Sequence, residues 1–275
     1  MRFLKPLFDF YLNSSIHVGI EVCCFVLITC FRFELPLDQN FLGFVFFGTI
    51  TGYNFIKYAG VAKLHHRSLA THLKLIQVFS FFCFLALVFF VFQLSLQTLF
   101  FAAFFGLFTV FYAVPVFPGK KNLRNLKGIK IFVIAFVVAG LTVFVPFVNH
   151  HMSVDFSIWE VFLQRFLFII AVLIPFEIRD LDFDEAELGT IPQKIGERNA
   201  KILGVFLLVA FVGLEFLKPE TIVAGTVSTV VIGLVSAGFI LFSRRHQSEY
   251  YASFWVEAIP IFWALLFWST GRFFI

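Results

Sequence analysis

Charged residues are scarce in this sequence of 275 residues, where Asp, Glu, Lys and Arg together make up 14%. A soluble globular domain carries about 25% charged residues, so an ordinary soluble fold is excluded. Cysteines are also few, and Cys23, Cys24, Cys30 and Cys83 all lie in apolar stretches without a paired C-x-x-C pattern. We therefore expect these four side chains to pack, and expect neither disulfides nor a cysteine metal site.

Apolar residues are abundant instead, at 60% of the chain, with 45 phenylalanines and a mean hydropathy of +0.93. A membrane-spanning helix needs about 20 predominantly apolar residues. We find about nine such runs, at 16–31, 41–60, 75–93, 96–116, 129–148, 158–177, 201–217, 221–242 and 252–270. The sequence predicts an all-α integral membrane protein whose residues 1–275 form a single bundle of about nine transmembrane helices.

Most of the 21 lysines and arginines fall in alternate connections between these runs. By the positive-inside rule, this asymmetry predicts a cytoplasmic N-terminus and an external C-terminus, and we expect a bacterial cytoplasmic membrane. The longer cytoplasmic connections are at about 61–74, 117–130 and 178–200. The net charge of +4 then reflects orientation in the bilayer, and nucleic acid is not expected as a partner.

The densest polar cluster follows the sixth predicted span. There Glu177, Asp180 and Asp184 are spaced i, i+3, i+7, which places three carboxylates on one helix face. Such a group repels itself unless a divalent cation or a cationic partner neutralises it, and oxygen ligands favour Mg2+ or Ca2+. The alternative interpretation is a solvated acidic loop.

With this cluster and its predicted spans, the chain resembles the UbiA-type intramembrane prenyltransferases. Members of that family transfer an isoprenoid chain from its diphosphate to an aromatic or other acceptor. Asp180 and Asp184 match the D-x-x-x-D motif of the family's sixth helix, and the following residues 188–196 are similar to its G-x-x-T-L-P run. Tyr112-Ala-Val-Pro115 and the basic residues after it are similar to the loop after the fourth helix.

The resemblance implies a role for each matching residue. Asp180 and Asp184 would be catalytic, and together with Glu177 they would hold Mg2+ that neutralises an isoprenyl diphosphate. The residues implied in substrate binding are Asn54, Lys57, Tyr58, Arg67, Tyr112, Lys120 and Lys121.

The first aspartate-rich motif of the family, N-D-x-x-D-x-x-x-D, is degenerate in this chain. Asn54 matches the asparagine, but Phe55, Tyr58 and Ala62 occupy the three aspartate positions. None of these side chains replaces an ionised carboxylate as a magnesium ligand. One of the two metal-diphosphate half-sites is therefore missing in its usual form.

Two ionisable residues inside apolar runs need a partner. Lys57 either extends to the cytoplasmic interface or faces Asp180 and Asp184, where its ammonium would replace a metal. Arg165 lies in the middle of a span, and we expect it to pair with Glu21 or Glu257, which also lie in spans.

Three functions remain open at this point. The first is an active prenyltransferase that uses one metal at the retained motif. The second is a family member without catalysis that binds an isoprenoid or quinone-like lipid. The third is a membrane scaffold or transporter, against which the clustered carboxylates at one end of the spans argue.

Overall fold

The fold is described from a computed structural model that covers residues 4–58, 67–114, 128–183, 188–218 and 222–273, with the backbone alone for 67–72 and 272–273. Within these ranges the chain forms helices and no strands, as predicted. The helices are α1 (Leu4–Asn13), α2 (Ile16–Arg32), α3 (Gln39–Tyr58), α4 (Arg67–Val91), α5 (Leu96–Ala113), α6 (Lys130–Asn149), α7 (Phe156–Arg179), α8 (Ile191–Ile195), α9 (Glu197–Leu217), α10 (Val223–Phe242) and α11 (Ile259–Phe273). A 3-10 turn at Asp180–Asp182 follows α7, and a π-helical turn at Tyr251–Val256 precedes α11.

The long helices coincide with the predicted apolar runs to within a few residues. Among the described residues, seven helices are long and apolar enough to cross a membrane, and α1 and α2, bent by 55°, would together make an eighth. The helix α3 is not among them, since polar side chains such as Asn54 and Lys57 lower its hydropathy. The chain is an integral membrane protein, but the predicted count of nine spans is not confirmed.

Two boundaries differ from the prediction. The connection predicted at 61–74 is partly helical, because α4 already begins at Arg67. The connection predicted at 178–200 contains α8, whose first residue follows Thr190 in a capping box with Gln193. The amphipathic α1 was not predicted at all, since its apolar residues do not form a continuous run.

The long helices alternate in direction along the chain. One end of the bundle, which we call the charged end, carries most of the basic connections of the sequence. It contains the first residues of α2, α4, α6, α9 and α11 and the last residues of α3, α5, α7 and α10. Consecutive helices pack against each other from α2 to α4 and from α5 to α7, and α9 packs against both α7 and α10. The helix α11 packs against α10 and closes the bundle against α2. The four cysteines are free and lie in helices, as expected.

Arg165 is fully buried in α7, but the prediction that it pairs with Glu21 or Glu257 is wrong. Its guanidinium donates to the Phe25 carbonyl oxygen at 2.8 Å and to the hydroxyls of Thr142 at 3.2 Å and Thr29 at 3.3 Å. No carboxylate pairs with Arg165 in the described part of the chain. Glu21 lies about one helical turn from Phe25 along α2, toward the charged end.

Close packing of α6 depends on a glycine, and this gives a first testable prediction. The ring of buried Phe105 occupies the space that a side chain at Gly140 would need. We expect Gly140→Ala to lower the free energy of unfolding by about 1–3 kcal/mol, because the ring must leave a packed position. Equilibrium unfolding in mixed micelles measures the loss.

The matched control for this substitution is Gly106→Ala on α5, where nothing lies within 4 Å of the added methyl group. Alanine there should leave stability unchanged or raise it by up to about 1 kcal/mol, because alanine favours a helix more than glycine does. Equal effects of the two substitutions would contradict the close contact between α5 and α6.

Candidate functional site

The end of α3 contacts the end of α1, and this contact engages two of the predicted site residues. The hydroxyl of Tyr58 donates to the Asn13 carbonyl oxygen at 2.8 Å, and Lys57 Nζ lies 3.4 Å from the same oxygen. The Tyr58 hydroxyl and the Lys57 ammonium satisfy the last carbonyl groups of α1. The positive charge of Lys57 also interacts favourably with the negative end of the α1 helix dipole. Both side chains therefore have a structural role in the bend between α1 and α2.

The ion pair that one interpretation of Lys57 required is not formed with Asp180 in the described structure. The other predicted partner, Asp184, lies outside the described residues. The Lys57 side chain is exposed, and its ammonium contacts the end of α1 through Asn13.

Asn54 is buried where α3 meets the junction of α1 and α2. Its amide nitrogen donates to the Ser14 carbonyl oxygen at 2.9 Å and to Ser80 Oγ at 2.8 Å, and its oxygen accepts from Ser15 Oγ at 2.6 Å. Both N–H groups are therefore used by the protein. A substrate could reach only the remaining lone pair of the amide oxygen.

The acidic motif after the sixth predicted span has basic partners of its own. Arg179 Nε donates to Asp180 Oδ1 at 2.7 Å, and Arg179 Nη2 donates to Asp180 Oδ2 at 3.1 Å. Two residues after Asp180 in the chain, Asp182 also has a basic neighbour, since its Oδ1 lies 3.6 Å from Arg245 Nη1. Two described carboxylates of this segment, Asp180 and Asp182, therefore each lie beside an arginine of the chain.

Glu177 is the buried member of the predicted metal trio, with 3% of its surface exposed. Its Oε2 accepts a hydrogen bond from the Ile191 backbone amide at 3.0 Å, which ties the end of α7 to α8. Because α7 ends at Arg179, Glu177 and Asp180 do not continue on one α-helical face.

The described residues do not assemble a magnesium site. They contain no group of three His, Cys, Asp or Glu side chains that could hold a metal ion. Asp180 is held by Arg179, and one oxygen of Glu177 is held by a backbone amide. Asp184, the third predicted ligand, lies outside the described residues, as do Lys120, Lys121 and the side chain of Arg67.

Tyr112 is buried at the end of α5, within electrostatic range of Tyr53 on α3. Tyr53 keeps 40% of its surface accessible although protein surrounds it. Glu21 and Glu257 are likewise partly accessible within the bundle, and each is within electrostatic range of Tyr53. These side chains therefore lie near one another at the charged end.

The position of Glu257 follows from the π-helical turn before α11. There the Glu257 amide donates to the Ala252 carbonyl oxygen, five residues back, at 3.2 Å. The extra residue in this turn rotates the side chains that follow it about the helix axis. π-helical turns are frequent at functional sites. The turn is braced from α2, since His17 Nε2 lies 3.0 Å from the Phe254 carbonyl oxygen.

The hydrogen bonds around His17 also fix its tautomer. A carbonyl oxygen only accepts, so Nε2 carries the proton and Nδ1 accepts from the Tyr11 hydroxyl at 2.6 Å. A second brace joins α1 to the same segment, because the Tyr250 hydroxyl donates to Asp9 Oδ1 at 2.6 Å. This hydrogen bond raises the pKa of Tyr250 to about 12.

Sequence reasoning did not single out Arg179, which holds Asp180. It considered Glu21 or Glu257 only as a partner of Arg165, because a buried arginine needs one, although a glutamate inside an apolar run itself indicates a functional residue. Only the tertiary structure shows that hydroxyl and carbonyl groups bind that guanidinium.

Comparison with solved structures identifies the architecture. The apo structure of a UbiA homolog from Aeropyrum pernix K1 matches with a TM-score of 0.68 and 16% identity, over 93% of this chain and 98% of that one. A structure of digeranylgeranylglyceryl phosphate synthase matches with a TM-score of 0.56 and 18% identity, over 96% of this chain and 97% of that one. No protein-family model and no curated protein matches the sequence.

Proposed function

We propose that this chain, which has the UbiA fold, is a membrane prenyltransferase that transfers an isoprenyl group from its diphosphate to an acceptor. The observation that carries the proposal is the Arg179–Asp180 pair at the end of α7, where the retained acidic motif of the family is expected. Both similar structures span nearly the whole chain, so the end of α7 lies within the shared fold.

The residues at the charged end support binding of an isoprenyl diphosphate there. Lys57 and Arg179 supply cations at the ends of α3 and α7, and the basic residues Lys120, Lys121 and Arg67 follow in neighbouring connections of the sequence. The apolar interior of the bundle fits an isoprenoid chain and would shield an allylic cation from water. Magnesium would be held by the three carboxylates of the retained motif, Glu177, Asp180 and Asp184.

A second function has a specific observation in its favour. The three aspartates of the first motif are absent, and Asp180 is already engaged by Arg179. A chain of this kind would bind an isoprenoid or quinone-like lipid without releasing diphosphate. Dependence on a metal separates the two functions.

The experiment is thermal unfolding of the full chain in detergent with geranylgeranyl diphosphate, with and without Mg2+. A ligand at 100 times its dissociation constant stabilises the folded state by about 2.7 kcal/mol. We expect stabilisation that requires Mg2+ and is lost in Asp180→Asn. Asp182→Asn is the matched control, since Asp182 is exposed and paired with Arg245 instead.

The other outcomes are equally informative. Stabilisation by the diphosphate that needs neither Mg2+ nor Asp180 would support the lipid-binding function. No response of the wild-type protein to the diphosphate, under either condition, would overturn both.

A further inference from the structure

We propose that a groove on the lipid-facing side of α10 binds one anionic phospholipid, with an acyl chain in the groove and the phosphate beside Arg244. The groove lies between α10 and the π-helical turn and has a volume of about 240 Å³. The residues that line it are Val235, Gly238, Phe239, Phe242 and Tyr251. None of them belongs to the predicted diphosphate site, so this binding goes beyond the proposed transferase function.

The groove follows one face of α10. Its four α10 residues are spaced i, i+3, i+4 and i+7, which places them on the same side of the helix. At 1.5 Å per residue, the distance from Val235 to Phe242 along the helix axis is about 10 Å. The hydrocarbon core of a bilayer is about 30 Å thick, so one leaflet is about 15 Å deep. The groove therefore matches an acyl chain in a single leaflet.

The shape of the groove is set by a glycine and a fixed tyrosine. A methyl group added at Gly238 would meet nothing within 4 Å, so the space above this residue is open. On the other side, the Tyr251 hydroxyl donates to the Phe239 carbonyl oxygen at 2.7 Å, and the two rings lie 5.5 Å apart. The groove is therefore preformed, and a large side chain at position 238 would fill it.

At the charged end, the groove leads to an arginine without a partner. Phe242 is the last residue of α10, and 74% of its surface is exposed. Arg244 follows two residues later, so its backbone lies within about 7 Å of the end of the groove. Its side chain is exposed and has no ion pair or hydrogen bond with any residue that the structure describes.

The next residue, Arg245, differs from Arg244 in its surroundings. The Arg245 guanidinium lies 3.6 Å from Asp182 Oδ1 and 3.5 Å from Glu197 Oε2. Carboxylates of the chain thus offset the charge of Arg245, whereas the charge of Arg244 is left for an external anion.

The connection that carries Arg244 is attached to the bundle. The Gln247 side chain accepts a hydrogen bond from the Arg244 backbone amide at 3.2 Å and donates one to the Pro175 carbonyl oxygen at 3.4 Å. The Ser243 hydroxyl donates to the Ile240 carbonyl oxygen at 2.7 Å. Because these contacts already fix the backbone beside the groove, a ligand does not have to order it.

An anionic phospholipid supplies both parts that this site requires. Basic residues beside membrane helices at the cytoplasmic surface bind anionic head groups, and the distribution of Lys and Arg predicts that the charged end is cytoplasmic. One arginine near such a head group contributes about fivefold in affinity, the equivalent of about 1 kcal/mol. A zwitterionic lipid has the same acyl chains, but its ammonium group offsets the phosphate.

The isoprenyl diphosphate of the proposed reaction is another lipid with an anionic head. The groove, however, opens to the outside of the bundle, and no carboxylate of the retained acidic motif is among the described residues that line it. A single free arginine also suits one phosphate better than a diphosphate. These observations favour the phospholipid, and the diphosphate becomes an outcome of the test.

The test measures lipid binding to the delipidated full chain in detergent by native mass spectrometry. The two probes are dioleoyl phosphatidylglycerol, which is anionic, and dioleoyl phosphatidylcholine, which has the same acyl chains and no net charge. For the wild type we expect one phosphatidylglycerol to bind about fivefold more tightly than phosphatidylcholine.

Two substitutions test the two parts of the site, each with a matched control. Gly238→Leu should weaken phosphatidylglycerol binding about tenfold, the equivalent of two methylene groups that are no longer buried. Its control is Gly213→Leu on α9, where the added side chain also meets open space but lies outside the groove. Arg244→Gln should bring the two lipids to within about twofold of each other. Lys74→Gln, which removes another exposed cation at the charged end, should keep the preference.

Equal binding of the two lipids to the wild type, an unchanged preference in Arg244→Gln, or unchanged binding in Gly238→Leu would each overturn the inference. Thermal stabilisation by geranylgeranyl diphosphate is measured for the same variants and should stay at the wild-type value. Loss of that stabilisation in Gly238→Leu would show that the groove takes the isoprenyl chain, which also overturns the inference. Since the proposed transferase does not use the groove, either conclusion can fail without the other.

Discussion

Glu215→Gln is expected to lower the free energy of unfolding by about 3–5 kcal/mol, because it leaves two buried cations without a counter-charge. Glu215 is fully buried in α9, where Oε1 accepts from Arg32 Nη1 at 2.8 Å and Oε2 accepts from Lys218 Nζ at 2.6 Å. Gln164 completes the group, since its oxygen accepts from Lys218 at 2.6 Å. A glutamine at position 215 is neutral, and its amide nitrogen would face one of the cations.

Equilibrium unfolding of the purified protein in mixed micelles measures this loss. Adding Lys218→Met to Glu215→Gln should restore part of the stability, because only one cation then remains uncompensated. Glu160→Gln on α7 is a control for the change of charge, since no hydrogen bond or ion pair to Glu160 occurs in the described structure. A loss below about 1 kcal/mol, typical of an exposed pair, would contradict the burial of the network.

The effect of Glu215→Gln should also depend on pH. Burial, followed by the nearby Arg32, lowers the pKa of Lys218 to about 8 from its ordinary value of 10.5. Above that pH the folded protein releases the proton while the unfolded chain still holds it, so stability rises with pH between the two values. The loss caused by Glu215→Gln should accordingly shrink above pH 8, because Lys218 no longer needs the carboxylate.

Arg165→Ala should destabilise the protein by roughly 3–5 kcal/mol, as for other large core side chains that are cut to alanine. The Arg165 guanidinium carbon lies 4.8 Å from the ring centroid of Phe25 and 5.4 Å from that of Trp263. The same group donates to Thr142 and Thr29, so it joins α7 to α6 and α2. Alanine leaves a cavity between three helices.

Two further substitutions separate volume from charge at this position. Arg165→Met should recover most of the loss, because methionine fills the space and buries no charge. Arg165→Lys should be less stable than Arg165→Met, since a compact ammonium cannot stack on Phe25 and Trp263 as a planar guanidinium does. If Arg165→Lys and the wild type had the same unfolding midpoint, stacking of the guanidinium on Phe25 and Trp263 would contribute nothing to stability.

The charged side chains at the two ends of the bundle differ in their partners. Arg32, Glu215 and Lys218 lie toward the ends of α2 and α9, opposite the charged end, and their charges are paired with one another across helices. At the charged end, Asp180 pairs with its own neighbour Arg179, so this ion pair does not join two helices.

Much of the fold was determined by the sequence alone. Long apolar runs must form helices in lipid, since no other structure satisfies the backbone within one segment. The spans at 16–31, 96–116 and 129–148 therefore agree with α2, α5 and α6 to within a few residues. The resemblance to the UbiA-type enzymes, derived from the acidic motif and its surroundings, is confirmed at the level of the fold.

The tertiary structure alone decided which polar residues meet. Arg165 on α7 binds the Phe25 carbonyl oxygen and the hydroxyls of Thr142 and Thr29. The sequence did not suggest these partners, because they depend on distances between helices that no spacing along the chain encodes. The π-helical turn before α11 also left no periodic signal, since one extra residue shifts the helix without interrupting the apolar run. The sequence determined that helices cross the membrane, and their packing decided which polar side chains pair.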